Sequence, residues 1–439
     1  MGINQSIKPL TLDYKNNIHI GGCDLVELAH KYGTPLYVID EATVRGMCRE
    51  YKKAFTNYPN IIMTYASKAL CNLAISKIIS EEGFGFDVVS AGEIYTLHKA
   101  EIDMKNVTFN GNNKTKKEIE LALDLNMGRY SVDNFYEAEL LNTIAEQKGK
   151  KADILLRITP GIECHTHEYI QTGQIDSKFG FDMSQLDEII NLVINKYKNL
   201  NLKGLHAHIG SQIFELNSFN DEIDILIKEL SEINKKYCLN LNELNIGGGL
   251  GVKYVETDVP PSVEIFGQTV INALEEACKK YDCEHPLIYI EPGRSIISTA
   301  GVTLYTIGSS KQVPDGKKYI AVDGGMADNP RPSMYQAEYF AEIANNTTSR
   351  EQEIVTIAGK YCESGDILIN NISLPKPTAG DTLCIYNTGA YNYSMASNYN
   401  RAEKPAMVLV NNSQSDMIVN RESLKDLIAL ENIPDRLRK

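Results

Sequence analysis

From about residue 40 to 300, short apolar runs alternate with longer amphipathic ones in a steady order. The apolar runs are IIMTYAS (61–67), FGFDVVS (84–90), VTFNG (107–111), RYSVD (129–133), ADILLRI (152–158), LKGLHAHI (202–209), ELNIGGG (243–249) and PLIYIEPG (286–293). Several are dense in Val, Ile and Leu, as strands covered on both faces require. Between them, LCNLAISKIISEE (70–82), TKKEIELALDL (115–125), NFYEAELLNTIAEQ (134–147) and FNDEIDILIKELSEINKKY (219–237) repeat apolar residues at helical spacing. Ser184 is placed to cap a further helix over 184–197. Strands alternating with helices in this number predict a (β/α)8 barrel over residues 36–300.

After residue 301 the pattern changes. VTLYTIG, KYIAVDGG, EIVTIAG, DTLCIYN and AMVLV read as strands separated by Pro, Gly and Asn turns, with few long helices. The first 35 residues also read as short strands and turns. They are expected to join residues 301–439 in a second, mainly β domain, leaving the barrel as an insertion.

Composition narrows the partners. The chain has 439 residues and a net charge of −13, with no basic tail or stripe, so neither nucleic acid nor an anionic membrane is an expected partner. No apolar run is long enough to span a bilayer, and the N-terminus lacks a secretory core. Nine scattered cysteines without a C-x-x-C pair read as reduced thiols of a cytoplasmic protein, and no structural metal is expected.

Barrel enzymes place their chemistry at the C-terminal ends of the strands. Lys68 follows the first run, Asp87 lies near the end of the second, and His206 and His208 end the sixth. Gly247-Gly248-Gly249 ends the seventh, and Glu291-Pro292-Gly293-Arg294 ends the eighth. An amine beside an apolar strand suits bonding to a carbonyl, although a lone lysine also fits a solvent-facing side chain. Three successive glycines suggest backbone N–H groups left open for an anion such as phosphate, and Ser211 is a second donor for it. His206 and His208, two apart, point to one face of a strand. They suit either zinc, with further ligands nearby, or a flat ring stacked on an aromatic cofactor; His165 and His167 stay open as such ligands. Glu291 suits a carboxylate that keeps a pyridine nitrogen protonated; a charged turn is the plain alternative. In the β-rich region, DGGMADNPRPSMY (323–335), GKYCESGDIL (359–368) and NTGAYNYSMASNYN (387–400) combine glycines with polar and reactive side chains.

YASKA, RITPGIECHTHEYIQTGQIDSKFGF, HIGSQ, NIGGGLG, EPGRS, DGGMADNPRP, CESGD and GAYNYSMASNYN run through nearly the whole chain. With these motifs the sequence resembles the alanine-racemase-like (fold type III) pyridoxal-phosphate enzymes, and among them the diaminopimelate decarboxylases. The resemblance implies pyridoxal 5'-phosphate as cofactor and decarboxylation of meso-2,6-diaminopimelate to L-lysine and carbon dioxide, the last step of lysine biosynthesis by that route. It implies that Lys68 bonds the cofactor, His208 stacks on its ring, Glu291 faces its nitrogen and Asp87 lies near the lysine. Ser211, Gly248, Gly249, the Pro292-Gly293-Arg294 stretch and Tyr391 are implied to hold its phosphate end. Arg294, Arg331, Tyr335, Tyr391 and Glu363 would grip the substrate, whose far end carries an amine and a carboxylate. Two arginines suit the carboxylate and one glutamate the ammonium. Cys362 is implied as the proton donor, acting with Glu363 in a partner subunit's site, so that a homodimer with shared active sites is expected.

Overall fold

The computed structural model describes residues 2–162, 177–314 and 316–438. They form two compact units, Met1–Ser6 with Val44–Ile297 and Ile7–Thr43 with Ser298–Lys439.

In the first unit the eight apolar runs become Ile61–Ala66, Gly85–Val88, Val107–Phe109, Arg129–Val132, Ala152–Thr159, Leu200–His206, Glu243–Asn245 and Leu287–Ile290. Each strand pairs in parallel with the next, and the last returns to the first through Ile288↔Ile61, which closes the barrel. A short extra strand, Phe181–Asp182, adds to the fifth. The helices start sharply. Asn72, Ser90, Thr115, Asn134 and Ser262 each accept a hydrogen bond from the backbone N–H three residues on. Each cap satisfies an otherwise orphaned donor and contributes about 1 kcal/mol.

Ser184 does not do this. Its hydroxyl and its N–H both donate to the Asp182 carboxylate, at 2.5 and 2.9 Å. A 3-10 turn, Met183–Gln185, therefore precedes the helix Leu186–Asn195. A carboxylate two residues upstream is the stronger acceptor, so the cap moves to Asp182. At the N-terminal end of the barrel, Arg129 reaches across to Glu243 with two bonds of 2.8 and 2.6 Å. That fork ties the starts of the fourth and seventh strands.

The second unit is mainly β. Its central strand, Gly301–Gln312, pairs antiparallel with Leu36–Asp40, Lys318–Val322 and Thr382–Tyr386. Leu36–Asp40 in turn pairs in parallel with Ala406–Asn411. Every residue of Leu36–Asp40 is buried, so this strand belongs to the β sheet and the boundary read at residue 36 lies at 43/44 instead. Ile18, Ile20, Leu25, Leu28, Val38, Val302, Leu304 and Val408 share one core. Leu25–Tyr32 within the N-terminal segment is a helix rather than a turn, capped by Asp24. The strands Ile367–Pro375 and Gln414–Val419 also escaped the sequence pattern. Gln414–Val419 has no buried residue, and Ile367–Pro375 carries the exposed pair Asn370-Asn371 in its middle, which reads as a turn. Among the described residues no helix is long and apolar enough to cross a membrane.

Candidate active site

The C-terminal ends of the barrel strands surround a cavity of about 340 Å³, lined among others by Lys68, Asp87, Asn110, Arg157, His208 and Glu291. Lys68 lies in a 3-10 turn just after the first strand. It is exposed between the buried residues Ser67 and Ala69.

Glu291 is the best-held group of the site. Its Oε1 accepts from the side-chain amides of Asn245 at 2.6 Å and Asn110 at 3.2 Å. Its Oε2 faces His206 Nε2 at 3.6 Å. His206 Nδ1 lies 2.6 Å from Ser131 Oγ, and burial pushes this ring below its ordinary pKa although Glu291 pulls the other way. We assign the ring proton to Nε2, facing the carboxylate, with Nδ1 accepting from Ser131. Burial alone would raise Glu291; the facing His206 ring and the Asn245 amide outweigh it and hold the carboxyl at about 2.

Asp87 behaves in the opposite way. The same Asn110 amide donates to its Oδ1 at 2.5 Å, yet burial, with the Glu291 charge nearby, pushes Asp87 well above the usual carboxylate range. The charge of Lys68 opposes this shift without cancelling it. Two carboxyl groups bridged by one amide cannot both ionise cheaply in a buried site. Glu291 therefore takes the charge and Asp87 the proton, a separation typical of sites that move protons.

His206 ends its strand, and His208 lies just past it. Their partners differ: His208 Nδ1 accepts from the Gly248 N–H at 3.3 Å. Burial first, then Lys68 and Arg157, push the His208 ring well below its ordinary pKa, which keeps it neutral and flat-faced. Among the described residues no group of three or more His, Cys, Asp or Glu is arranged to hold a metal ion. His165 and His167 fall outside the described residues.

The glycine run has a packing reason that the sequence reading missed. A Cβ on Gly248 would lie 2.1 Å from the Glu291 carbonyl oxygen, and one on Gly247 2.6 Å from His208 Nδ1. The Gly247 N–H donates to Asn245 Oδ1 and the Gly248 N–H to His208. Only the Gly249 N–H takes no partner among the described residues. The run thus seats His208 and Glu291 and leaves one amide for an anion. Close by, Arg294 sits 7% exposed, donating to Ser211 Oγ at 3.0 and 3.2 Å and to Tyr254 at 2.9 Å. A buried guanidinium beside a hydroxyl is chemistry suited to phosphate or carboxylate. Pro292 and Gly293 form the turn into that arginine; a Cβ on Gly293 would lie 2.9 Å from Ala66.

Asn110, Asn245, Arg157 and Ser131 were not singled out from sequence. Their signal is a polar residue at the C-terminal end of an otherwise apolar strand, as in VTFNG, ELNIGGG and ADILLRI. Arg157 stacks on the Phe179 ring at 4.3 Å.

Within the second unit, the three polar segments come together. Lys360 N–H donates to Gly324 O at 2.9 Å, and Ser397 N–H to Ala327 O at 2.8 Å. Cys362 N–H donates to Asn400 Oδ1 at 2.9 Å. Arg331, 8% exposed, donates to Tyr339, whose hydroxyl reaches Asn392. Cys362 and Glu363 are exposed at the tip of their loop, Tyr335 is half-buried, and Tyr391 adopts a left-handed backbone at φ 60°.

The family described as pyridoxal-dependent decarboxylase, pyridoxal binding domain, matches residues 41–298. The chain is 45% identical to the diaminopimelate decarboxylase of Synechocystis, covering 99% of this chain and 94% of that one. It is also 45% identical to the Bacillus subtilis enzyme of the same name, over 94% and 95% of the two chains. A crystal structure of diaminopimelate decarboxylase from Methanocaldococcus jannaschii, in complex with L-lysine, superposes with a TM-score of 0.92 at 35% identity and covers both chains fully. By sequence and by fold, this chain belongs to the diaminopimelate decarboxylase family of pyridoxal-dependent enzymes.

Proposed function

We propose that the protein removes carbon dioxide from meso-2,6-diaminopimelate to give L-lysine, using pyridoxal 5'-phosphate at the mouth of the barrel, as the last step of lysine biosynthesis by that route. The observation that carries this reading is the pairing of Lys68 with an ionised, triply faced Glu291 across one cavity. The donor set fits the cofactor: an amine for its aldehyde, a fixed carboxylate for its ring nitrogen, a neutral imidazole for its ring face, and an arginine–serine pair for its phosphate.

When bound, the cofactor supplies an electron sink for the bond that breaks at the substrate Cα. The chain's own residues do the rest. Lys68 Nζ would hold the cofactor through its aldehyde. Glu291 keeps its charge through the working pH range and would hold a proton on the cofactor's ring nitrogen. Asp87 holds a proton beside Lys68. Ser211, Gly248, Gly249, Gly293, Arg294 and Tyr391 are assigned to the phosphate end. Arg294, Arg331, Tyr335, Tyr391 and Glu363 are assigned to the substrate. Binding the far carboxylate selects against substrates that lack it, because an unmatched buried arginine is costly. Carbon dioxide release should therefore be measured on meso-diaminopimelate, L-lysine and L-ornithine in parallel. The proposal expects turnover on the first alone; comparable turnover on ornithine would move the substrate to the other basic amino acids.

Cys362 Sγ is assigned to deliver the proton to Cα after carbon dioxide leaves, within the site of a second subunit of a cytoplasmic homodimer. Cys362→Ala is expected to lower turnover by roughly 10²-fold, the scale of a lost general acid, without loss of bound cofactor. Mixing Cys362→Ala with Lys68→Ala subunits then regenerates sites made from one intact half of each. Random pairing gives about a quarter of the wild-type activity. No recovery on mixing would place Cys362 in its own subunit's site.

A further inference from the structure

Asp366 closes the CESGD motif, but its carboxylate bonds none of the side chains assigned to chemistry above. It is 3% exposed, and its carboxylate does two things at once. Oδ2 accepts from the Tyr361 N–H at 2.9 Å, inside its own loop, and Oδ1 accepts from the Met326 N–H at 2.7 Å, in the loop that leads to Arg331. Its own backbone completes the turn: Gly359 N–H donates to Asp366 O at 2.9 Å, and Asp366 N–H donates to Glu363 O at 3.1 Å. The chain leaves room for the carboxylate. A Cβ on Gly325 would lie 2.4 Å from Asp366 Oδ1, and one on Gly359 2.1 Å from Oδ2. A second tie runs alongside, from the Tyr361 hydroxyl to Asp328 Oδ1 at 3.2 Å. Asp328 is itself 1% exposed and bonded to Tyr305.

We propose that Asp366 is a positioning residue: it clamps the loop carrying Cys362 and Glu363 to the loop carrying Arg331, so that both are presented in one fixed arrangement. The proposal rests on the assignment of Cys362, Glu363 and Arg331 made above. A carboxylate suits this task because it accepts two backbone N–H bonds along different directions. An isosteric amide retains one acceptor and turns an N–H2 group toward the other donor.

The test uses the full-length holoenzyme with Asp366→Ala and Asp366→Asn. Amide hydrogen exchange is followed at Lys360 and Cys362, whose partners are Gly324 O and Asn400 Oδ1 rather than Asp366 itself. Both amides should exchange roughly tenfold faster or more in the alanine variant, the scale of losing two buried hydrogen bonds, and less so in the asparagine variant. Turnover should fall and KM rise, while the visible absorbance of bound cofactor stays unchanged. Faster exchange with turnover intact retains the clamp and removes Cys362 from the chemistry. Unchanged exchange at Lys360 and Cys362, with only a lower melting temperature, would overturn the proposal.

Discussion

Lys68→Ala is expected to abolish both the visible absorbance of bound cofactor and the release of carbon dioxide. Lys68 is an exposed amine within the 3-10 turn Ser67–Ala69, lining a cavity whose other cations among the described residues, Lys114 and Arg157, are buried and committed elsewhere. Lys114 donates to Gly111 O, Ser131 O and Glu137. Arg157 lies over Phe179 and 4.0 Å from Asp133. Neither can replace a lost nucleophilic amine. The loss removes the covalent anchor of the cofactor and should reach about 10³-fold or more. Folding should be little affected, because the side chain is exposed and caps nothing. Thermal melting of the variant checks this last point; turnover retained within tenfold would remove Lys68 from the mechanism.

Glu291→Gln is expected to have the second largest effect. The substitution keeps the shape and removes the charge, but it also changes the partners. An amide nitrogen placed toward Asn245 and Asn110 would set donor against donor where Oε1 now accepts twice. Turnover should fall by roughly 10²- to 10³-fold, the scale of losing one preorganised electrostatic partner. The pH dependence has a definite sign. Glu291 is lowered from 4.5 to about 2, so its contribution to stability is complete above pH 4.5 and is lost as the pH falls toward 2. The stability gap between wild type and variant should therefore narrow over that window, which denaturant melts at a series of pH values would show. A gap independent of pH would mean that Glu291 is not held ionised by its neighbours.

The barrel was legible because its strands are covered on both faces, and such runs stay apolar from end to end. The face that holds the cavity was legible for a related reason: a charged residue closing an apolar run stands out, as at Lys68 and Glu291. What stayed hidden depends on contacts between distant segments. Asn245 reads as an ordinary polar residue before a glycine turn until the structure sets it 2.6 Å from Glu291. The glycines of 247–249 suggested an anion, whereas two of them are required by the close approach of His208 and the Glu291 backbone. Leu36–Asp40 looked like the edge of the barrel, because nothing local to a buried strand says which sheet it joins. The polar loops at 323–335, 359–368 and 387–400 looked like separate turns, and only the fold shows that one hydrogen-bonded assembly contains them all.

The most direct test of the central claim is the visible spectrum of the purified protein, recorded before and after adding meso-diaminopimelate, with carbon dioxide release followed in parallel. The account predicts a visible band from cofactor bound at Lys68, perturbed by the substrate as gas is released and L-lysine accumulates. A protein that shows no such band after incubation with pyridoxal 5'-phosphate, or a band that meso-diaminopimelate leaves untouched, would contradict it.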